Sequence, residues 1–201
     1  MINMNKNFFF LLLFFTCISV SGQTVYKFGE AKGLFMAVGV GPRFPINEFA
    51  KSQNLGIGFD VTFSYTDNAI LPVFFYTGIG FQHNPGKQDF YKKSDYSSLS
   101  TNILYLNSGA RYYFPPLIEN IILLMPIVDV GVNFGLFEKL HQFKLERNKA
   151  NFVEEVIKGG AHVGVGFSMF LLDVVTYYNY YPNNEYISFS LKANIPIFIR
   201  I

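Results

Sequence analysis

Charge is scarce in this chain. Asp, Glu, Lys and Arg make up 15% of its 201 residues, against about 25% in an ordinary soluble domain. The net charge is only +2 and no basic stripe runs through the sequence, so a nucleic-acid partner is not expected. Tryptophan is absent, and the single cysteine, Cys17, lies near the N-terminus. A disulfide framework is therefore excluded. The three histidines, His83, His141 and His162, are far apart and follow no ligand spacing, so neither a metal nor a cofactor is expected. Gly-Val-Gly occurs at 39–41 and again at 164–166. Both copies sit inside alternating runs without a strand–loop–helix context, which excludes a dinucleotide loop. Beyond the first segment no apolar run is long enough for a membrane-spanning helix.

That first segment reads as an export signal. Lys6 gives a positive start, Phe8 to Phe15 an apolar stretch, and Val20-Ser21-Gly22 a small-residue site before Gln23. The pattern predicts a cleaved signal peptide over 1–22 and a mature domain over 23–201. Phe14, Phe15 and Thr16 make a poor setting for acylation of Cys17.

What the chain does have is Phe (24), Tyr (13) and Gly (17) in a strict alternation. Leu55 to Tyr65 shows it best. Leu55, Ile57, Phe59, Val61, Phe63 and Tyr65 are large and apolar, while Gly56, Gly58, Asp60, Thr62 and Ser64 between them are small or polar. A period of two is the strand period, and about eleven residues suit a tilted strand crossing a bilayer. Similar runs are predicted over 34–43, 73–83, 99–114, up to 137, 156–169, 174–181 and 186–199, which makes eight strands in all. Turns are expected at 66–69, around Glu119-Asn120, and at 170–173. Between the other strands lie 44–53, two charged loops over 84–98 and 138–155, and a hairpin at 182–185. The charged 138–155 segment has room for extended strand or a short helix beyond the body. Long connections thus fall at one end and short ones at the other, as in an up-and-down membrane barrel.

The composition of the polar face sharpens this. It is mostly Gly, Ser and Asn with a few charges, which suits the crowded interior of an eight-strand barrel better than a solvated surface. Buried charges need partners. Arg111 and Asp129 are equidistant from the turn at Asn120, so they should be cross-strand neighbours. Asp60, Asn133, His162, Asp173, Lys192 and Asn194 are expected to extend a structural network in the lumen. Tyr65, Tyr112, Phe114, Tyr178 and Tyr180 near strand ends would form aromatic girdles at the membrane interfaces. The fold class is therefore all-β: an eight-stranded antiparallel up-and-down transmembrane β-barrel.

The predicted signal, the mature start at Gln23, the run Gly56-Ile-Gly-Phe-Asp-Val-Thr-Phe63 and the strand Ile103 to Phe114 with its ending Gly-Ala-Arg-Tyr-Tyr-Phe-Pro resemble the small outer-membrane β-barrel proteins of Bacteroidota. The resemblance covers roughly Gly33 to Ile201. It implies an outer-membrane location and contact with outer-membrane lipid and lipopolysaccharide. It also implies a structural or interaction role, with a secretion or envelope complex as one setting. Surface-loop candidates are Lys92, Lys93, Lys139, Lys144 and Arg147, for anionic head groups or an envelope protein partner through 84–98 and 138–155. One alternative is a lipid A deacylase or acyltransferase, which would need a histidine beside a serine nucleophile; no His-Ser pair occurs in the sequence. The other is a soluble lipocalin-like carrier of an apolar ligand. No catalytic residues are assigned.

Overall fold

The computed structural model describes residues 32–67, 71–117, 124–169 and 171–200. The expected signal peptide and the Glu119-Asn120 turn lie outside these residues. Eight strands follow one another: β1 (Lys32–Pro45), β2 (Gly56–Asp67), β3 (Leu71–Pro85), β4 (Tyr96–Tyr113), β5 (Leu124–Phe143), β6 (Phe152–Met169), β7 (Leu172–Tyr180) and β8 (Tyr186–Arg200). Each pairs antiparallel with the next, and β1 pairs with β8, so the sheet closes. Closure leaves no edge within the hydrocarbon, a requirement for any sheet in lipid.

Alternation decides the faces. On β2, Ile57, Phe59, Phe63 and Tyr65 point out and are exposed, while Asp60 and Thr62 are buried inside. The same holds on β5, where Val128, Val130, Val132, Phe134 and Leu136 face outward and Asp129 and Asn133 inward. Tyr65, Phe114, Tyr178 and Tyr180 are outward and exposed. This arrangement inverts that of a soluble domain. A belt of bare Phe, Val, Leu and Ile encloses a polar interior, which is the surface a lipid bilayer covers.

Two helical turns sit among the loops: α1 (Phe49–Ser52) and α2 (Gln88–Lys93). The charged segments are more regular than the sequence suggested. The expected loop 84–98 shrinks to 86–95, because β3 continues to Pro85 and β4 begins at Tyr96. The expected loop 138–155 is mainly strand, with β5 running to Phe143 and β6 starting at Phe152 around a short 3-10 turn at Leu145–Arg147. Strands that project past the apolar belt meet water on their outer face, so polar residues replace the outward apolar ones without ending the ladder. Glu138 and Glu155, register partners, are the first outward charges met along β5 and β6 toward this end.

Candidate functional site

Two apolar layers close the lumen and a charged layer lies between them. At the loop end, Phe49 from α1 packs with Ile103, Tyr105, Phe137, Tyr181 and Tyr186. At the turn end, Ile127, Val175 and Tyr177 pack together with Tyr113 against them. Inner-facing aromatics are thus a larger part of the filling than the expected Gly, Ser and Asn. Glycines opposite them supply the room. Tyr76 pairs with Gly109, Tyr105 with Gly80, and Tyr177 with Gly164. A Cβ on Gly164 would lie 2.5 Å from the Tyr177 ring.

The register sets Arg111 opposite Asp129. Arg111 Nε donates to Asp129 Oδ2 at 2.8 Å, and its Nη1 donates to Asp173 Oδ2 at 2.9 Å. Its Nη2 donates to the Tyr177 hydroxyl at 2.8 Å. Asp129 also accepts from Tyr76 at 2.5 Å and lies 3.3 Å from His162 Nε2. His162 Nδ1 meets Asn133 Oδ1 at 2.6 Å, and its other nitrogen meets the Tyr76 hydroxyl. Asp60 and Lys192 form a second group: Lys192 Nζ donates to Asp60 Oδ1 at 2.7 Å. They flank Gly39 in the register of β1 and pair across it. A Cβ there would sit 2.8 Å from Asp60 Oδ2. Tyr177 joins the two groups, with its hydroxyl donating to Asp129 at 3.3 Å and Lys192 Nζ 5.4 Å from its ring centre.

Arg43, at the end of the predicted run 34–43, belongs to this layer. It lies 3.7 Å from Asp60 and its Nη1 donates to Ser190 Oγ at 3.3 Å. Its parity with Gly39 and Gly41 was the available signal. Asn194 is half-buried and lines the turn end of the interior beside Thr62 and Arg111.

The charged layer is packed, not open. The cavity among Arg43, Asp60, Asn107, Asn133 and Lys192 has a volume of about 20 Å³, room for one or two waters where each needs roughly 10–15 Å³. Asn107 Oδ1 and Asn133 Nδ2, on opposed residues, both border it without a protein hydrogen-bond partner. Pockets for drug-sized ligands span about 300–1,000 Å³, so this cavity is far too small for one.

The three histidines all have partners that are not serine hydroxyls. His83 Nδ1 meets Asn102 at 2.7 Å, His141 meets Tyr96 and Glu154 at 3.2 and 3.1 Å, and His162 has the contacts just described. Among the described residues no group of three or more metal-ligating side chains gathers.

At the loop end a second constellation is exposed. Asp95 is gripped by Arg147 at 3.1 Å and Lys149 at 2.8 Å, and Lys144 Nζ donates to Ser94 O at 2.8 Å. These contacts tie the 86–95 loop to the β5–β6 hairpin. The hydrogen bond from Lys149, aided by the charges of Arg147 and Lys144, holds the Asp95 carboxyl below its ordinary value. A ladder of rings backs the joint: Phe90 stacks on Tyr96, Tyr96 on Phe143, and His141 on Phe152. Of the expected surface cations, Lys144 and Arg147 hold this joint. Lys92 and Lys93 stand on α2, with Lys92 3.8 Å from Asp89. Lys139 is not in a loop at all: it lies on β5 and pairs with Glu154 at 3.3 Å.

No family model matches the chain, and no curated protein does. Several solved structures are similar to it at low identity. Neisserial surface protein A is 13% identical, over 82% of this chain and 97% of its own, with a TM-score of 0.48. Ail, the attachment invasion locus protein of Yersinia pestis, is 11% identical, over 83% of this chain and 99% of its own, with a TM-score of 0.47. A second Ail structure, in complex with the heparin analogue sucrose octasulfate, is 10% identical over 82% and 98%, with a TM-score of 0.44.

Proposed function

We propose that this chain is an integral outer-membrane protein, exported by a signal cleaved before Gln23, whose role is structural or interaction-based and not catalytic. The observation that carries the reading is the inversion of faces. An apolar belt surrounds the closed sheet while its charges are paired inside. A soluble ligand carrier needs the opposite arrangement and a roomy interior. The shortest strand, β7, has nine residues, which matches the roughly 9–11 that a tilted strand needs to cross the hydrocarbon.

The packed lumen supports neither a porin-like channel nor an interior substrate site, so contact falls to the loop end. There Lys92 and Lys93 on α2 and the platform of Lys144, Arg147 and Lys149 offer cations to lipopolysaccharide phosphates or to an envelope protein partner. Fractionation combined with gel migration before and after boiling tests the reading. A closed barrel in outer-membrane fractions migrates differently when unheated. A soluble, unshifted protein would overturn it.

A further inference from the structure

β6 has two different sides. Against β5 it is paired along its whole length, from Phe152 to Met169. Against β7 its pairing starts only at Ala161, opposite Tyr180. Among the described residues, no strand or loop backbone bonds that edge from Phe152 to Gly160. Unpaired backbone is not tolerated in lipid, so this edge stands above the hydrocarbon, as the outward Tyr178 and Tyr180 beside its lower limit also indicate. Free strand edges template further strands, and proteins blunt them with proline, bulges, brevity, a covering loop or charged side chains; this edge carries Glu154, Glu155 and Lys158. This one contains no proline and keeps an unshifted register with β5.

Resting on the outer-membrane reading above, we infer that this edge pairs antiparallel with the β6 edge of a second copy carried by an opposing membrane, so that the protein links two membranes by self-recognition. The occupant follows from charge and direction. A two-fold pairing over 153–159, the stretch clear of Tyr180 and Tyr181 beside Gly160, is centred on Val156. It places Glu154 of each copy opposite Lys158 of the other. Centring on Glu155 or Ile157 sets Glu154 opposite Val156 or Gly160 and loses both pairs. The groups have capacity to spare. Lys158 Nζ carries three protons and donates to two loop oxygens, of Pro182 and Asn184. Each Glu154 oxygen accepts one bond, from Lys139 or His141, and a carboxylate oxygen has two lone pairs. Direction selects the membrane. Barrels in one bilayer all point their loops the same way, so their β6 strands run parallel. Antiparallel contact needs barrels facing each other.

Single barrels in lipid nanodiscs, which leave both faces open, test this. The probe is a second disc of the same protein, which after cleavage before Gln23 carries no cysteine of its own. Opposed residues have Cα atoms about 4.5–5.5 Å apart, within disulfide range, so Val156→Cys on the two-fold axis should give a covalent dimer on oxidation. Adding Glu154→Lys or Lys158→Glu should each lower the dimer yield about tenfold. Mixing the two variants should restore it as a heterodimer, since each reversed charge then meets its opposite. Absence of the Val156→Cys dimer, indifference to either charge change, or a mixture that stays single would overturn the self-pairing. A strand from another protein would then be the occupant. Discs whose protein shows no shift on boiling would overturn the membrane-barrel reading along with it.

Discussion

Asp129 and Asp95 are both held by two basic groups, and they teach opposite lessons. Asp129 sits in the lumen, fully buried, between Arg111 and His162. Asp95 sits on the loop platform, partly exposed, between Arg147 and Lys149. The bond lengths are alike. The surroundings are not. Water screens the loop pair and replaces it when it breaks, so such contacts add little to stability. Removing one buried partner leaves the other charge unsolvated, which costs about 3–5 kcal/mol. The same geometry thus serves as a structural clamp in one place and a weak latch in the other.

The largest expected effect follows from the first site. Asp129→Asn should lower the unfolding free energy in lipid vesicles by about 3–5 kcal/mol, read by far-UV circular dichroism against urea. A loss below about 1 kcal/mol would put the two aspartates in one class. Next comes packing. Gly164→Val drives its side chain into the Tyr177 ring and should cost about 1–3 kcal/mol. Gly159→Val, whose Cβ meets only Phe134 at 3.9 Å, should be near neutral, and the boiling temperature of the gel shift separates them. Asp95→Asn should leave barrel melting unchanged and increase the spread of spin-label distances between the 86–95 loop and the β5–β6 hairpin. Acid should act likewise. The Asp95 carboxyl titrates below its ordinary value when clamped. Its contribution is therefore full above that ordinary value, about 3.9, and disappears as pH falls through the depressed one. Smallest of all, Lys92→Glu with Lys93→Glu should shift stability by less than about 0.5 kcal/mol, so any change in surface binding can be assigned to the surface itself.

The strands and their faces were legible because lipid outside and crowding inside both act on side chains with period two. The pairing of Arg111 with Asp129 followed from counting back from a turn. The aromatic filling was harder to read. Tyr177 lies in the run Tyr177-Tyr178-Asn179-Tyr180-Tyr181, where an outward Tyr178 and Tyr180 imply an inward Tyr177 but do not say which space takes its ring. Its partner Gly164, one strand away, does say so, but only once the register is known. Arg43 shares the inward parity of Gly39 and Gly41, but its register partners are Gly56 and Ser188, so counting across a turn could not find Asp60. The projecting part of the β5–β6 hairpin read as a charged segment with room for strand because Leu140, Phe143, Phe152 and Val153 stand among charges without a regular alternation.

Closure of the sheet has a consequence for how the molecule is made. The seam joins β1 to β8, so Val38 lies beside Ala193 and Lys32 beside Arg200. The first strand to emerge must wait for the last, and contacts of such long sequence separation form slowly. Until then β1 has one bare side, and a nascent sheet with an open edge has no comfortable place in a bilayer. Nearly the whole domain must therefore be delivered before any of it can settle. The half-finished sheet is the aggregation-prone species a cell has to escort.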